Sequence, residues 1–178
     1  MNYKLLIITL GILFIPIAAS ASTAGEIIPG TPVNDPAIAP TQQSTSVPTP
    51  LNQIDPAIKK LPKKIEVDLS SQTLTYSYGN NPVATIKISS GIKRLPTPVG
   101  TFRVLEKIPV KRYVGPGYNL PNTKWNLKFT TAGHYIHGAY WHNNFGHPMS
   151  HGCVNVSYAD MGAIYDFADV GTPVSIHN

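Results

Sequence analysis

The sequence holds a single cysteine, Cys153, among 178 residues. That excludes an intrachain disulfide and any metal cage built on several thiolates. Acidic residues are also scarce. Nine Asp and Glu face 14 Lys and Arg, for a formal net charge of +5. Such a balance suits an anionic neighbourhood, such as a bacterial wall or a membrane surface. The basic residues come as scattered pairs, Lys59–Lys60, Lys63–Lys64, Lys93–Arg94 and Lys111–Arg112. No basic stripe is interleaved with aromatics, which argues against nucleic acid as a partner. The longest apolar run, Leu5 to Ala18, is interrupted by Thr9 and Gly11 and is short for a membrane span.

That run does have the form of a secretory leader. Lys4 precedes it, and Ala19-Ser20-Ala21 follows as a small-residue cleavage site, so residues 1–21 read as a signal peptide. The rival reading is an uncleaved anchor. No cysteine follows the apolar run, which excludes lipid attachment there. The protein is therefore expected in the periplasm or at the wall and extracellular face, membrane-tethered if the leader is retained. A lone thiol in an oxidising compartment calls for a reason: intermolecular pairing, burial as a small hydrophobe, or reactivity.

Proline is abundant, with 17 residues. Residues 22–60 are rich in Pro, Thr, Ser, Ala and Gln and show no apolar periodicity, which predicts a disordered or extended linker. Residues 61–178 are expected to fold. Ile65, Val67 and Leu69 alternate with Glu66 and Asp68, and Leu74, Tyr76 and Tyr78 repeat the pattern after Ser70-Ser71-Gln72. Further strands are expected at Thr85–Ser89, Phe102–Ile108, His134–His137 and Pro173–His177. One helix is expected from Ser157, with Ser157 and Asp160 as a capping box and Gly171 with Pro173 beyond its end. The fold class is mainly β: a sandwich- or barrel-like mixed sheet of short strands with one helix. Between Pro109 and Thr131 turn signals break the pattern among Tyr113, Tyr118, Trp125 and Phe129. This reads as an irregular flap over a groove, with Tyr118 and Trp125, and Trp141 beyond it, as candidate substrate contacts.

Five of the six histidines and the cysteine fall between His134 and Cys153. Two chemistries use such a cluster. Zinc takes Cys and His, but the steps His137-x4-His142-x4-His147-x3-His151-x-Cys153 face no single way on a helix. Gly146, Pro148 and Gly152 deny a helix in any case, and no carboxylate lies within the cluster to orient an imidazole. The other chemistry is a Cys–His pair, in which an imidazole takes the thiol proton and a third group fixes its tautomer. Lacking a carboxylate, a backbone carbonyl can serve. Gly152 allows a tight turn, and the N–H groups of Gly152 and Cys153 could face a developing oxyanion.

His137-Gly138 followed by Ser150-His151-Gly152-Cys153-Val154-Asn155 resembles the signature of L,D-transpeptidases of the YkuD type. Ser90-Gly91 with Thr97-Pro98-Val99-Gly100-Thr101-Phe102 is similar to a second marker segment of that family. The likeness runs from about residue 63 to 177. It implies Cys153 as nucleophile, His137 as general base, the Gly138 carbonyl as its orienting partner, and backbone N–H groups at Gly152 and Cys153 as the oxyanion hole. His151 and Asn155 fall on motif positions that shape the site and contact substrate. The implied activity is acyl transfer from a peptidoglycan stem tetrapeptide to an amine, with release of D-alanine. The implied needs are no metal or organic cofactor, and the implied covalent inhibitors are carbapenems. A monomer is expected. With water as acceptor the same chemistry gives an L,D-carboxypeptidase, and a non-catalytic peptidoglycan-binding module is a third reading. His142 and His147 are expected to be structural or groove-lining, and His134 to sit at a strand start near the surface.

Overall fold

The computed structural model describes residues 51–178. The expected leader and the linker as far as residue 50 lie outside the described residues. Two 3-10 turns, Leu51–Gln53 and Ile58–Lys60, lead into the sheet, with Leu51, Ile54 and Ile58 half-buried against the core.

The first hairpin follows from its alternation. Strand β1 (Lys63–Asp68) pairs antiparallel with β2 (Thr73–Tyr78), so that Ile65 faces Tyr76 and Val67 faces Leu74. All four side chains are buried. The turn between the strands is set by Asp68, whose Oδ1 accepts from the Ser70 and Ser71 backbone N–H groups at 2.8 and 3.1 Å. This is the local competition by which an Asp side chain ends a strand.

Strand β3 (Asn81–Ser89) joins the two halves of the sheet. Its residues up to Lys87 pair with β2, while Ile88 and Ser89 pair with β8 (Val154–Ser157). The remaining strands are β4 (Gly100–Arg103), β5 (Glu106–Gly115), β6 (Tyr118–Lys128), β7 (Tyr135–Ala139) and β9 (Pro173–His177). Together they make one nine-stranded mixed sheet in the order β4-β9-β1-β2-β3-β8-β7-β6-β5. Among the strands of the described residues only β1–β9 and β7–β8 pair in parallel.

The expected helix is α1 (Tyr158–Phe167). Ser157 caps it, its Oγ accepting from the Asp160 N–H at 3.2 Å. At the other end Lys107 reaches across from β5 and donates to the carbonyls of Tyr165 and Ala168, at 2.7 and 2.5 Å. A cation there satisfies orphan carbonyls and opposes the negative end of the helix dipole. The helix packs on β6, β7 and β8. Its last residue, Phe167, lies 5.0 Å from the rings of both Tyr76 and Tyr78 on β2. The sheet therefore curls around the helix, and Met161, Ile164 and Phe167 are buried in a single core with strand residues such as Ile65, Leu74 and Val154.

Two expectations are corrected. Phe102–Ile108 is not one strand. The Val104 N–H donates to Thr172 O and the Leu105 N–H to Lys128 O, at 2.9 and 2.7 Å. At that point the chain leaves β9 and takes up β6 as its neighbour. Nor is 109–131 irregular. It is mostly the long hairpin β5–β6, whose two-residue turn is Pro116-Gly117. Between the pairs Lys111–Thr123 and Tyr113–Leu120 strand β6 carries one extra residue, and Asn122 there has φ 55°. Such a bulge bends a hairpin. Here the bend brings Tyr113 and Tyr118 over the face that carries the cysteine.

Candidate active site

Parallel strands β7 and β8 sit inside the sheet, paired Ile136–Val154, His137–Asn155 and Gly138–Val156. Side chains alternate between the faces of a strand. Ile136, Val154 and Val156 join the core. Gly138 shares their face, and a Cβ there would meet the Tyr158 ring at 2.5 Å, so α1 leaves no room for a side chain. His137, Asn155 and Cys153 occupy the opposite face. All three line one cavity of about 250 Å³, together with Trp141, Tyr118 and His151.

The tautomer of His137 is fixed by its own neighbour. Its Nδ1 lies 3.1 Å from the Gly138 carbonyl oxygen. A carbonyl only accepts, so the proton is on Nδ1 and Nε2 keeps its lone pair. His137 is buried, and Tyr113 stacks beside it with centroids 4.8 Å apart. Trp141 closes another side at 5.8 Å. Burial pulls the imidazole down to about 4, opposed by the Gly138 hydrogen bond and assisted by the nearby His142. It is therefore a neutral base at pH 7. Burial pushes the Cys153 thiol up to about 11, with the Tyr135 backbone hydrogen bond opposing. Both shifts favour a resting pair that is thiol and neutral imidazole, since neither charge alone is welcome in this setting. The chemistry available is proton transfer coupled to attack, with base and nucleophile on one wall.

The turn before Cys153 is tied down at several points. Ser150 forms an isolated parallel bridge with Gly91, and its N–H donates to the Ser90 carbonyl at 3.0 Å. Its hydroxyl donates to the Cys153 carbonyl at 2.5 Å and accepts from the Gly152 N–H at 3.1 Å. Gly152 has φ 113°, a conformation that excludes other residues without strain. A Cβ on it would also lie 3.0 Å from the His134 ring. His134 thus packs behind the nucleophile turn, held by Thr130 through its Nδ1 at 2.9 Å.

The family model for the L,D-transpeptidase catalytic domain (YkuD) matches residues 62–176. The chain belongs to the L,D-transpeptidase catalytic domain family. L,D-transpeptidase 1 of Mycobacterium tuberculosis (strain ATCC 25618 / H37Rv) is 29% identical over 119 residues, covering 61% of this chain and 47% of that protein. The chain thus spans about half the length of this curated relative. A solved L,D-transpeptidase from Mycobacterium smegmatis matches with a TM-score of 0.62 at 29% identity, covering 65% of this chain and 58% of that one. L,D-transpeptidase 3 from Mycobacterium tuberculosis in complex with a faropenem-derived adduct matches with a TM-score of 0.62 at 25% identity, covering 65% and 60% of the two chains.

Within this L,D-transpeptidase domain the aromatic candidates separate. Tyr118, from the start of β6, stacks on His151 with centroids 5.0 Å apart and planes at 27°. Gly115 makes room for that Tyr118 ring, against which any Cβ would collide. Trp141 lines the cavity. Trp125 does not join them. Its φ of 57° and its contacts with Gly162 and Tyr158 put the ring on the helix side, against the core. Tyr113, Leu120, Met149 and Ser150 also line the cavity, though no sequence argument singled them out as site residues. Tyr113 is held in place by its hydroxyl, which donates to Asn126 Oδ1 at 2.9 Å, and Asn126 is fully buried. The available signal was the spacing Tyr113-x-Gly115 on a strand facing the Tyr118 side of a tight turn. Among the described residues no three His, Cys, Asp or Glu side chains are grouped to hold a metal ion.

Proposed function

We propose that this chain is a peptidoglycan L,D-transpeptidase, acting from Cys153 with His137 as base. The observation that carries the reading is the His137 ring: its Nδ1 proton is committed to Gly138, which leaves Nε2 as a proton acceptor in the cavity that Cys153 lines. Family membership over residues 62–176 supports the same reading.

The donor is a stem tetrapeptide ending in D-alanine. Sγ of Cys153 attacks the carbonyl carbon of the third residue while its proton passes to Nε2 of His137. The oxyanion is received by backbone N–H groups at Gly152 and Cys153. For Gly152 this means exchanging its present bond to Ser150 Oγ for one to the substrate. The C–N bond then breaks, the imidazolium protonates the leaving amine, and D-alanine departs from a thioester. A second amine attacks that thioester, gives its proton to His137, and releases the thiol as a new amide forms. Water in place of the amine gives the carboxypeptidase outcome. The substrate lies outside the cytoplasm, so the reading includes export. By the same chemistry a carbapenem carbonyl acylates Cys153, and the complex of a related L,D-transpeptidase with imipenem lends this support.

The test is incubation with a disaccharide-tetrapeptide, with and without an added amine, followed by mass analysis. Release of D-alanine with transfer to the amine supports the transpeptidase. Release without transfer makes it a carboxypeptidase. An inert mixture with intact binding would leave a wall-binding module.

A further inference from the structure

The catalytic proposal leaves one buried polar pair in the cavity wall unused. Asn155 is 2% exposed and is the cross-strand partner of His137. Its Nδ2 lies 3.1 Å from Nε2 of His142, which is half-buried beside Trp141 and Phe145. An amide nitrogen only donates, so His142 Nε2 accepts and His142 is the neutral, Nδ1-protonated tautomer. Burial pulls its imidazole below the ordinary histidine range, in keeping with that form. Two atoms of the pair remain without a hydrogen-bond partner among the described residues: Asn155 Oδ1 and His142 Nδ1. Buried polar atoms are rarely left so, and an exception at the wall of a cavity asks for a ligand.

We infer that His142 is a positioning residue that clamps the Asn155 carboxamide by its nitrogen, which reserves the buried, unpartnered Oδ1 as the acceptor for a backbone N–H of the donor peptide when that peptide fills the cavity Asn155 lines. The inference rests on the donor-peptide reading above. Asn155 lies two residues beyond Cys153 on the same face of the chain, roughly 7 Å along the strand. That is about two extended peptide residues away from the carbonyl that the sulfur attacks. The chemistry required there is a hydrogen-bond donor. A carboxylate would meet a lone pair, so an anionic ligand group does not fit this position. With His142 unable to accept, the carboxamide would be free to turn, presenting NH2 where the peptide also presents N–H.

The experiment measures tetrapeptide binding by calorimetry in a Cys153→Ala background, which separates recognition from turnover. Three proteins are compared: Cys153→Ala alone, with His142→Phe, and with His142→Gln. Phe keeps the ring contact with Phe145 but loses the acceptor, and Gln restores an acceptor through its side-chain oxygen. Melting temperatures monitor the fold. The inference predicts at least a tenfold weaker Kd with His142→Phe and recovery to within threefold with His142→Gln, at similar melting temperatures. Equal affinities in all three proteins would overturn it, as would an absence of tetrapeptide binding by Cys153→Ala. Loss of turnover in the unsubstituted chain, with this affinity pattern preserved, would instead count against the enzymatic reading alone.

Discussion

The Tyr113 ring lies beside the His137 imidazole, with centroids 4.8 Å apart and planes inclined by 32°. The tyrosine comes from edge strand β5 and the histidine from the interior of the sheet. The contact closes one side of the imidazole to water, and that desolvation is the main cause of its low proton affinity. Truncation by Tyr113→Ala is expected to let water reach His137 and return its pKa from about 4 towards 6.5. The acid limb of the pH–rate profile should move up accordingly. Tyr113→Phe should leave the limb in place but strand Asn126 Oδ1, costing about 1–3 kcal/mol in urea denaturation.

Folding stability should carry the same signature. The His137 pKa is lowered in the folded state, so between about 4 and 6.5 the unfolded chain binds the proton that the folded chain refuses. Stability is therefore complete above pH 6.5 and falls as pH drops towards 4, by on the order of 3 kcal/mol from this group. His142 shifts in the same direction. Denaturant titrations across that range should show the slope, and His137→Gln should reduce it without removing the His142 share.

The thiol offers an independent measurement. With burial raising Cys153 to about 11, alkylation by iodoacetamide should be slow at pH 7 and keep rising past pH 9. A midpoint well below pH 7 would mean that the resting pair is ionised.

Gly152→Ala tests the nucleophile turn. It forces a Cβ into a φ of 113° and to within 3.0 Å of the His134 ring. Backbone strain of this kind costs about 1–3 kcal/mol. Turnover is expected to fall more than tenfold, because the displaced segment carries the sulfur. A stable variant with full activity would separate the turn geometry from the chemistry.

Much of the frame was legible because the physics was local. Ile65 and Val67 alternate with polar neighbours along a strand buried on one face, Asp68 announces its turn, and Ser157 with Asp160 marks the start of the helix. The β5–β6 hairpin was not legible. Its outer strand is an edge with mixed exposure, and Pro109, Gly115, Pro116, Gly117 and Pro121 imitate a loop. Strand β8 was hidden in another way: Val154 and Val156 alternate properly, but the run is four residues long and begins directly after the nucleophile turn. The pairing of His137 with Asn155, the Tyr113 contact and the Asn155–His142 bond join residues from separate segments. Only the parallel register and the bulged hairpin bring these together. Trp125 went astray because its own left-handed backbone, φ 57°, turned its ring to the helix side.

The central claim is that Cys153 is the nucleophile and neutral His137 its base, and intact-mass analysis after exposure to a carbapenem tests it most directly. The account predicts one acyl adduct on the unsubstituted protein, mapping to the peptide that contains Cys153, with none on Cys153→Ala and acylation at least a hundredfold slower on His137→Gln. An adduct that persists in Cys153→Ala, or forms at an unchanged rate in His137→Gln, would contradict it.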